Sequence, residues 1–360
     1  MPTVLEWNPT VTREDLRRAI ETAEQAGVPV VLPGDCGYAV ALPIRSPQLA
    51  DLVERLGVPP AWWVANGEPL QRRGWGVPIA LERLFRRDWP LPLVALLPVE
   101  QLLPCGNDSW LTWVVDERNR LRLRHPDHPI AVEIAETIDP SAWLLVDSYQ
   151  ETAEGALDLL DQAEAFAVAA GRLPVESRPS QVLFGSEGWE MVSAGAVSAE
   201  ELAPLLARVI VFLCTGNTCR SPLAAGIAQK LAAERLGCRV EELVQRGVWI
   251  TSAGLGTSGG WPASAEAVQV AAELGVDLRE HRSRRLQPWL LAIADEVITM
   301  TQEHCQMLLV QYPGLGPPPR LICEGVDVPD PIGAGLDAYR ACAAVLRQLV
   351  ERNIAEWLSP

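Results

Sequence analysis

The sequence predicts an α/β protein of two domains, the second a Rossmann-like parallel sheet with helices on both faces. Three observations lead there. The chain has 360 residues, more than one compact domain usually needs. From residue 208 onward, apolar runs of strand length alternate with segments of helical spacing, which implies βαβ connections. Arg208–Leu213 (RVIVFL) is an unbroken apolar run, the pattern of a strand buried on both sides. The boundary is placed near residue 203, giving domains 1–203 and 204–360.

Residues 13–26 (REDLRRAIETAEQA) read as an amphipathic helix stopped by Gly27. Val28–Leu32 reads as a short strand with Pro29 near its start, where proline is tolerated. Pro33-Gly34-Asp35 breaks it, and Tyr38–Leu42 resumes extended. Gly57–Trp75, rich in Pro, Gly and Trp, reads as irregular. Ala80–Arg87 has helical spacing, and Pro92–Pro98 and Leu121–Arg124 read as strands. Ala153–Ala170 reads as one helix ending at Gly171. Val182–Phe184 and Glu190–Val192 read as a strand pair around the turn 185–188.

In the second half, Ser198–Leu206 reads as a short helix and Arg208–Leu213 as a strand. The helix Pro222–Leu236 follows, then the strand Val248–Ser252 and the helix Ser264–Leu274. The strand Glu296–Met300, a helix over about 302–310, the strand Arg320–Ile322 and a long helix over about 336–357 complete the alternation.

The net charge of −16 disfavours nucleic acid and anionic lipid as partners. No apolar stretch is long enough to cross a membrane, and Met1–Asp15 lacks the basic start and apolar run of a signal peptide, so a cytoplasmic location is expected. The eight cysteines (Cys36, Cys105, Cys214, Cys219, Cys238, Cys305, Cys323, Cys342) include no CxxC pair, and the four histidines form no HExxH. No disulfide framework and no structural metal site is expected.

The strand 208–213 runs into Cys214-Thr215-Gly216-Asn217-Thr218-Cys219-Arg220-Ser221 and then directly into a helix. Ser221 suits an N-cap and Pro222 a first helical position. Gly216 and Asn217 tolerate the left-handed backbone of a tight loop. Such a loop aims backbone N–H groups inward at a helix N-terminus, which suits an anion. Those groups, a guanidinium and the helix dipole all favour a thiolate at Cys214, the form that attacks phosphorus. Arg220 can hold two phosphoryl oxygens at once. The N–H groups of Thr215, Gly216, Asn217, Thr218 and Cys219 complete the phosphoryl cradle, and Ser221 can donate to the sulfur as it leaves. No Gly-Lys-Ser/Thr ending is present, so neither nucleotide nor magnesium, nor any other cofactor, is implied. Asp330, between Pro329 and Pro331, is the candidate general acid, with Asp327 as its rival.

These residues resemble the low-molecular-weight protein tyrosine phosphatase family, over about 208–358: FLCTGNTCRSP (212–222), TSAG (251–254), VITM (297–300) and DPIGAG (330–335). The resemblance implies a metal-independent hydrolase acting on a phosphorylated protein or a small phosphomonoester through a phosphocysteine. It assigns Cys214 as nucleophile, Arg220 as phosphate binder and Asp330 as acid. Cys219 matches a second loop cysteine that can protect the nucleophile by disulfide formation; its other reading is packing. Tyrosine-directed members carry an aromatic residue after Asp-Pro, where Ile332 stands here. Thr218 and its neighbours are similar to the bacterial protein-arginine phosphatases, whose acid is followed by Pro and Phe. Phosphotyrosine and phosphoarginine both stay open, as does Trp261 as a pocket wall or a packing residue.

Residues 1 to about 200 resemble, patchily, the YrdC-like fold of threonylcarbamoyl-adenylate synthases, a twisted α/β sheet. Pro33, Asp35 and Tyr38 fit its PTDTVYGL segment, and Trp89-Pro90-Leu91-Pro92-Leu93 resembles WPGPLT. LRLRHPDHP (121–129) resembles its strand ending in a Pro-aspartate loop. Pro179-Ser180-Gln181-Val182 resembles PSTV, and EMVSAGAVSAEEL (190–202) resembles its closing segment, with Ser193 in place of arginine. The family's ATP-binding Lys-x-Arg pair has no counterpart, because this half contains no lysine, and 146–149 replaces its Ser-Ala-Asn segment. The resemblance implies the fold without synthase activity. Asp35 and Tyr38 also read simply as turn and core residues. The family's double-stranded RNA binding is implied by the resemblance alone and is opposed by the charge.

Overall fold

The computed structural model describes residues 2–8, 11–102, 109–160, 164–186, 188–323 and 325–359. The chain divides into two compact units, Met1–Leu202 and Ala203–Pro360.

The elements up to the division are β1 (Thr3–Glu6), α1 (Arg13–Ala26), β2 (Val30–Gly34), β3 (Gly37–Pro43), α2 (Leu49–Leu56), β4 (Ala61–Trp63), α3 (Glu68–Arg72), α4 (Ile79–Arg87) and β5 (Leu93–Pro98). They continue with α5 (Leu111–Val114), β6 (Arg120–Arg124), α6 (Pro129–Thr137), β7 (Trp143–Gln150), α7 (Ala153–Asp158), β8 (Phe166–Ala169), β9 (Ser180–Gly185) and β10 (Gly188–Ser193), and α8 (Ala199–Leu206) runs across the division. The strands form one mixed sheet in the order β1-β8-β2-β3-β7-β4-β6-β5-β9-β10. Helix α1 shows why the local reading works. Thr12 and Asp15 close a capping box, Leu16, Ile20 and Ala23 form one buried stripe, and Gly27 ends the helix at φ 67°.

Three expectations for this unit are corrected. Ala153–Ala170 is not one helix: α7 stops at Asp158, and the chain re-enters the sheet as β8. Phe166–Ala169 is buried throughout and pairs in parallel with β1 and β2. Short buried strands and helical segments look alike by periodicity, and the sheet decided. Residues 161–163 of that span lie outside the described residues. Gly57–Trp75 is not irregular but holds β4 and α3, with Trp62 and Trp63 fully buried in the strand. Aromatic residues favour a pleated, buried surface, and that outweighed the Pro and Gly content. Pro33 and Gly34 do not break the strand; they pair with Tyr38 and Gly37 in a tight hairpin.

The second unit contains β11 (Arg208–Cys214), α9 (Arg220–Leu236), β12 (Val248–Gly254), α10 (Ala265–Glu273), α11 (Pro288–Ile293), β13 (Glu296–Thr299), α12 (Gln302–Gln311), β14 (Arg320–Leu321) and α13 (Leu336–Trp357). Its four strands are all parallel, in the order β12-β11-β13-β14. Strand β11 is central, and its alternate residues serve two cores. Ile210, Phe212 and Cys214 pack with residues of α9, α10 and α13. Val209, Val211 and Leu213 pack with Leu286, Leu290, Leu291 and Leu308. Helices therefore cover both faces, and the carboxyl ends of β11 and β13 open onto the loops where α/β sheets place ligands.

Candidate active site

Strand β11 delivers Cys214 to the edge of the sheet, where it is 3% exposed and in register with Gly254 of β12. A side chain at Gly254 would meet the Thr215 carbonyl oxygen at 2.8 Å, so glycine is what lets the two segments approach. Leu255 N–H donates to the Cys214 carbonyl and Gly256 N–H to the Thr215 carbonyl, extending the ladder into the loop.

The loop closes around the sulfur. Asn217 N–H donates to Cys214 Sγ at 3.2 Å, and Ser221 Oγ lies 3.0 Å from it. The Asn217 N–H donates to the sulfur, and either partner of the Ser221 contact can be the donor. Asn217 has φ 55°, the left-handed turn that aims its N–H inward. Its buried side chain is a hub. Nδ2 donates to Ser221 Oγ (3.0 Å) and Ser252 Oγ (2.9 Å), and Oδ1 accepts from Arg284 N–H (2.9 Å). Its carbonyl meets His281 Nε2 at 2.8 Å. Burial lowers the His281 pKa, so the neutral ring donates that nitrogen's proton.

Helix α9 begins at Arg220. Arg220 is 6% exposed. Nη1 donates to the Val328 carbonyl at 3.2 Å, Nη2 donates to Asp330 Oδ2 at 2.5 Å, and Nε, also buried, has no partner among the described residues. Asp330 is oriented in turn by Ile332 N–H, which donates to Oδ1 at 3.2 Å. Asp327 instead accepts Gln302 N–H at 2.7 Å, at the start of α12. Of the two rival carboxylates, the structure brings Asp330 to the loop.

Cys219 lies 3.1 Å from Tyr339 Oη and donates to Ser264 Oγ at 3.5 Å, which ties the loop to α13 and α10. Burial, and then the bond to Cys219, push the Tyr339 hydroxyl up to about 12. Thr218 is half-buried; its carbonyl accepts Ser264 N–H, and its Oγ1 lies 3.6 Å from Cys219 Sγ. Thr215 is exposed, and its Oγ1 meets His304 Nε2 at 2.9 Å. Trp261 and Ile332 are 62% and 66% exposed. Trp261 is held by its backbone, which exchanges two hydrogen bonds with Ser283.

Sequence reasoning found the contiguous loop and missed its supports. Ser252 lies in the TSAG segment but was given no role, and His281, His304, Ser264 and Tyr339 come from other segments that no local pattern marks. Among the described residues no group of three or more His, Cys, Asp or Glu is placed to hold a metal. The described cysteines are free, and Cys105 lies outside the described residues.

In the first unit, Asp35, Arg124 and Asp147 form a buried cluster. Arg124, 1% exposed, pairs with Asp35 and, at 3.2 Å, with Asp147. Asp127 N–H also donates to Asp35 at 2.8 Å. Burial alone would raise Asp35, but the guanidinium and these bonds outweigh it and lower its pKa. Tyr38 is a core residue, and its hydroxyl donates to the Gly171 carbonyl and accepts Ala170 N–H, both at 2.8 Å.

Residues 209–358 match the model of the low molecular weight phosphotyrosine protein phosphatase family. The protein-arginine-phosphatase of Geobacillus stearothermophilus is 32% identical over 148 residues, 40% of this chain and 91% of that one. That of Bacillus subtilis (strain 168) is 34% identical over 154 residues, 41% of this chain and 95% of its own. A low molecular weight protein tyrosine phosphatase from T. tengcongensis has a solved structure with 36% identity, covering 42% of this chain and 99% of that chain, at a TM-score of 0.37. With a loop that carries a buried cysteine and an arginine bonded to an aspartate, and with relatives matched over nearly their whole length, the chain belongs to the low molecular weight phosphotyrosine protein phosphatase family.

Proposed function

We propose that the second unit removes phosphoryl groups from protein side chains, with Cys214 as nucleophile, Arg220 as phosphoryl clamp and Asp330 as acid. The observation that carries this is the packing of Cys214 Sγ against Asn217 N–H and Ser221 Oγ in a loop whose Arg220 is bonded to Asp330. The thiolate attacks phosphorus, the S–P bond forms, and Asp330 gives its proton to the departing atom. Water then displaces the sulfur, with Asp330 taking a proton from it and Ser221 Oγ donating to the leaving thiolate. Loop N–H groups and Arg220 hold the phosphoryl oxygens throughout.

Two substrate classes follow from the loop and its relatives. Polar Thr218 and the two relatives named protein-arginine-phosphatase support phosphoarginine, a P–N bond. The family model and the relatives named as tyrosine phosphatases support phosphotyrosine, a P–O bond. The deciding experiment compares para-nitrophenyl phosphate, a phosphotyrosine peptide and phosphoarginine, with wild type and Cys214→Ser, without added metal. Turnover by wild type and none by Cys214→Ser is expected, and the substrate ratio assigns the class. An inert, reduced wild type overturns the catalytic reading.

For residues 1–203 we infer a diverged YrdC-like domain that serves as a targeting or regulatory module rather than as a synthase. Arg124, the buried cation of the matched segment, is already paired with two carboxylates of its own unit. ATP-dependent formation of threonylcarbamoyl-adenylate by the isolated full chain would overturn this reading in favour of a bifunctional enzyme.

A further inference from the structure

His304 is 3% exposed and makes no part of the chemistry described above, yet both of its ring nitrogens are engaged. Nδ1 lies 2.9 Å from Thr301 Oγ1, and Nε2 lies 2.9 Å from Thr215 Oγ1. Thr301 is the N-cap of α12, and its Oγ1 accepts the His304 backbone N–H at 3.3 Å. That order decides where the protons sit. With its oxygen accepting the cap bond, Thr301 has one hydroxyl proton to place, and Nδ1 is the acceptor in reach. His304 then carries its proton on Nε2 and donates it to Thr215 Oγ1. The opposite order would aim two N–H groups at Thr301 and leave its own proton unplaced. Burial, followed by the charge of Arg220, lowers the His304 pKa and keeps the ring neutral, as this order requires.

Thr215 immediately follows the cysteine and is the exposed residue of the loop; Gly216 and Thr218 are half-buried and the rest buried. Its carbonyl is fixed by Gly256 N–H at 2.9 Å. With Oγ1 accepting from His304, its hydroxyl proton is left to point outward. We propose that His304 is a positioning residue that, from the cap of α12, turns the Thr215 hydroxyl into a fixed donor for an oxygen of the bound phosphoryl group. The proposal rests on the phosphatase reading of the same loop. It makes Thr301, His304 and Thr215 one chain of donors that spans two loops of the sheet edge.

The experiment measures orthovanadate inhibition and para-nitrophenyl phosphate turnover for His304→Leu, Thr215→Val, their double variant, His304→Gln and His304→Asn. One lost hydrogen bond to a charged oxygen is worth roughly a tenfold change. His304→Leu and Thr215→Val are each expected to weaken vanadate roughly tenfold, and the double variant no more than either, because the histidine acts through the threonine. His304→Gln, whose amide nitrogen reaches the Nε2 position, keeps affinity within about twofold, whereas His304→Asn loses it. Multiplying effects in the double variant, or unchanged vanadate affinity in either single one, overturns the proposal. Should His304→Leu fail to fold, the Gln and Asn pair decides: equal affinities overturn it. A wild type that neither turns over nor binds vanadate overturns the phosphatase reading instead, so the two failures are distinct.

Discussion

Arg220 Nη2 donates to Asp330 Oδ2 at 2.5 Å, so the arginine that would clamp a phosphoryl group is bonded to the carboxylate that would protonate the leaving atom. A phosphoryl oxygen seated on Arg220 competes with Asp330 for that N–H. Asp330 is 44% exposed and can swing aside, whereas the guanidinium is 7% exposed and pinned by Val328. Asp330→Ala is therefore expected to act in two directions. The turnover number with an alkyl phosphate falls roughly 10²- to 10⁴-fold, the contribution of a general acid. Affinity for phosphate or vanadate rises severalfold, because the competitor is gone. Inhibition constants measured beside turnover check both. Weaker oxyanion binding in the variant would mean that Asp330 does not compete.

Asn217 ties two other segments to the loop through its side-chain amide, so its removal is expected to cost more than any catalytic residue costs in stability. Asn217→Ala leaves Arg284 N–H without its acceptor and the buried Ser252 and Ser221 hydroxyls without their donor. It also removes the short polar side chain that makes φ 55° tolerable for a non-glycine residue, about 1 kcal/mol by itself. A total loss of about 2–4 kcal/mol is expected, with Asn217→Gly about 1 kcal/mol milder. Urea unfolding of both variants, with vanadate absent, checks the order.

The loop was legible because its logic is contiguous: a buried strand, a cysteine, a left-handed turn and a capped helix occupy neighbouring positions. Asp330 was legible as one of two aspartates, and only the folded distances separate it from Asp327, which caps α12. The supports were not legible, because Ser252, His281, His304 and Tyr339 reach the loop across 35 or more residues. In the first unit, β4 and β8 escaped because three or four buried residues carry no reliable period, and what makes them strands is their neighbours. The Arg124 cluster joins residues 35, 124 and 147, a partnership that only the sheet order creates.

His125 makes the first unit acid-sensitive. It is 3% exposed, lies edge-on to Trp63 and Trp89, and its Nδ1 has no partner among the described residues. Burial, and then the charge of Arg124, push its pKa down to about 4 from 6.5. The unfolded chain therefore takes up a proton below about pH 6.5 that the folded unit refuses until about pH 4. Stability is full above this window and declines as pH falls through it. Between pH 7.5 and 5 the loss attributable to His125 is about 2 kcal/mol. His125→Phe removes the titration and should flatten the dependence by that amount in chemical denaturation. An unchanged pH slope would show that His125 is already charged in the folded unit.

Ile332 offers a direct test of substrate choice. Its backbone N–H orients Asp330, while its side chain is 66% exposed, so the side chain can be changed without disturbing the acid. An aromatic residue there would stack on a phosphotyrosine ring, an arrangement worth about 0.5–1.5 kcal/mol. Ile332→Tyr is therefore expected to raise kcat/KM for a phosphotyrosine peptide by up to roughly tenfold. Para-nitrophenyl phosphate should improve by a similar factor, because its ring occupies the same place. Phosphoarginine, which brings a flexible chain rather than a ring, should change by less than about threefold. Parallel kinetics on the three substrates check this. Equal gains on phosphoarginine and phosphotyrosine would mean that residue 332 acts on the acid or the loop rather than on the leaving group.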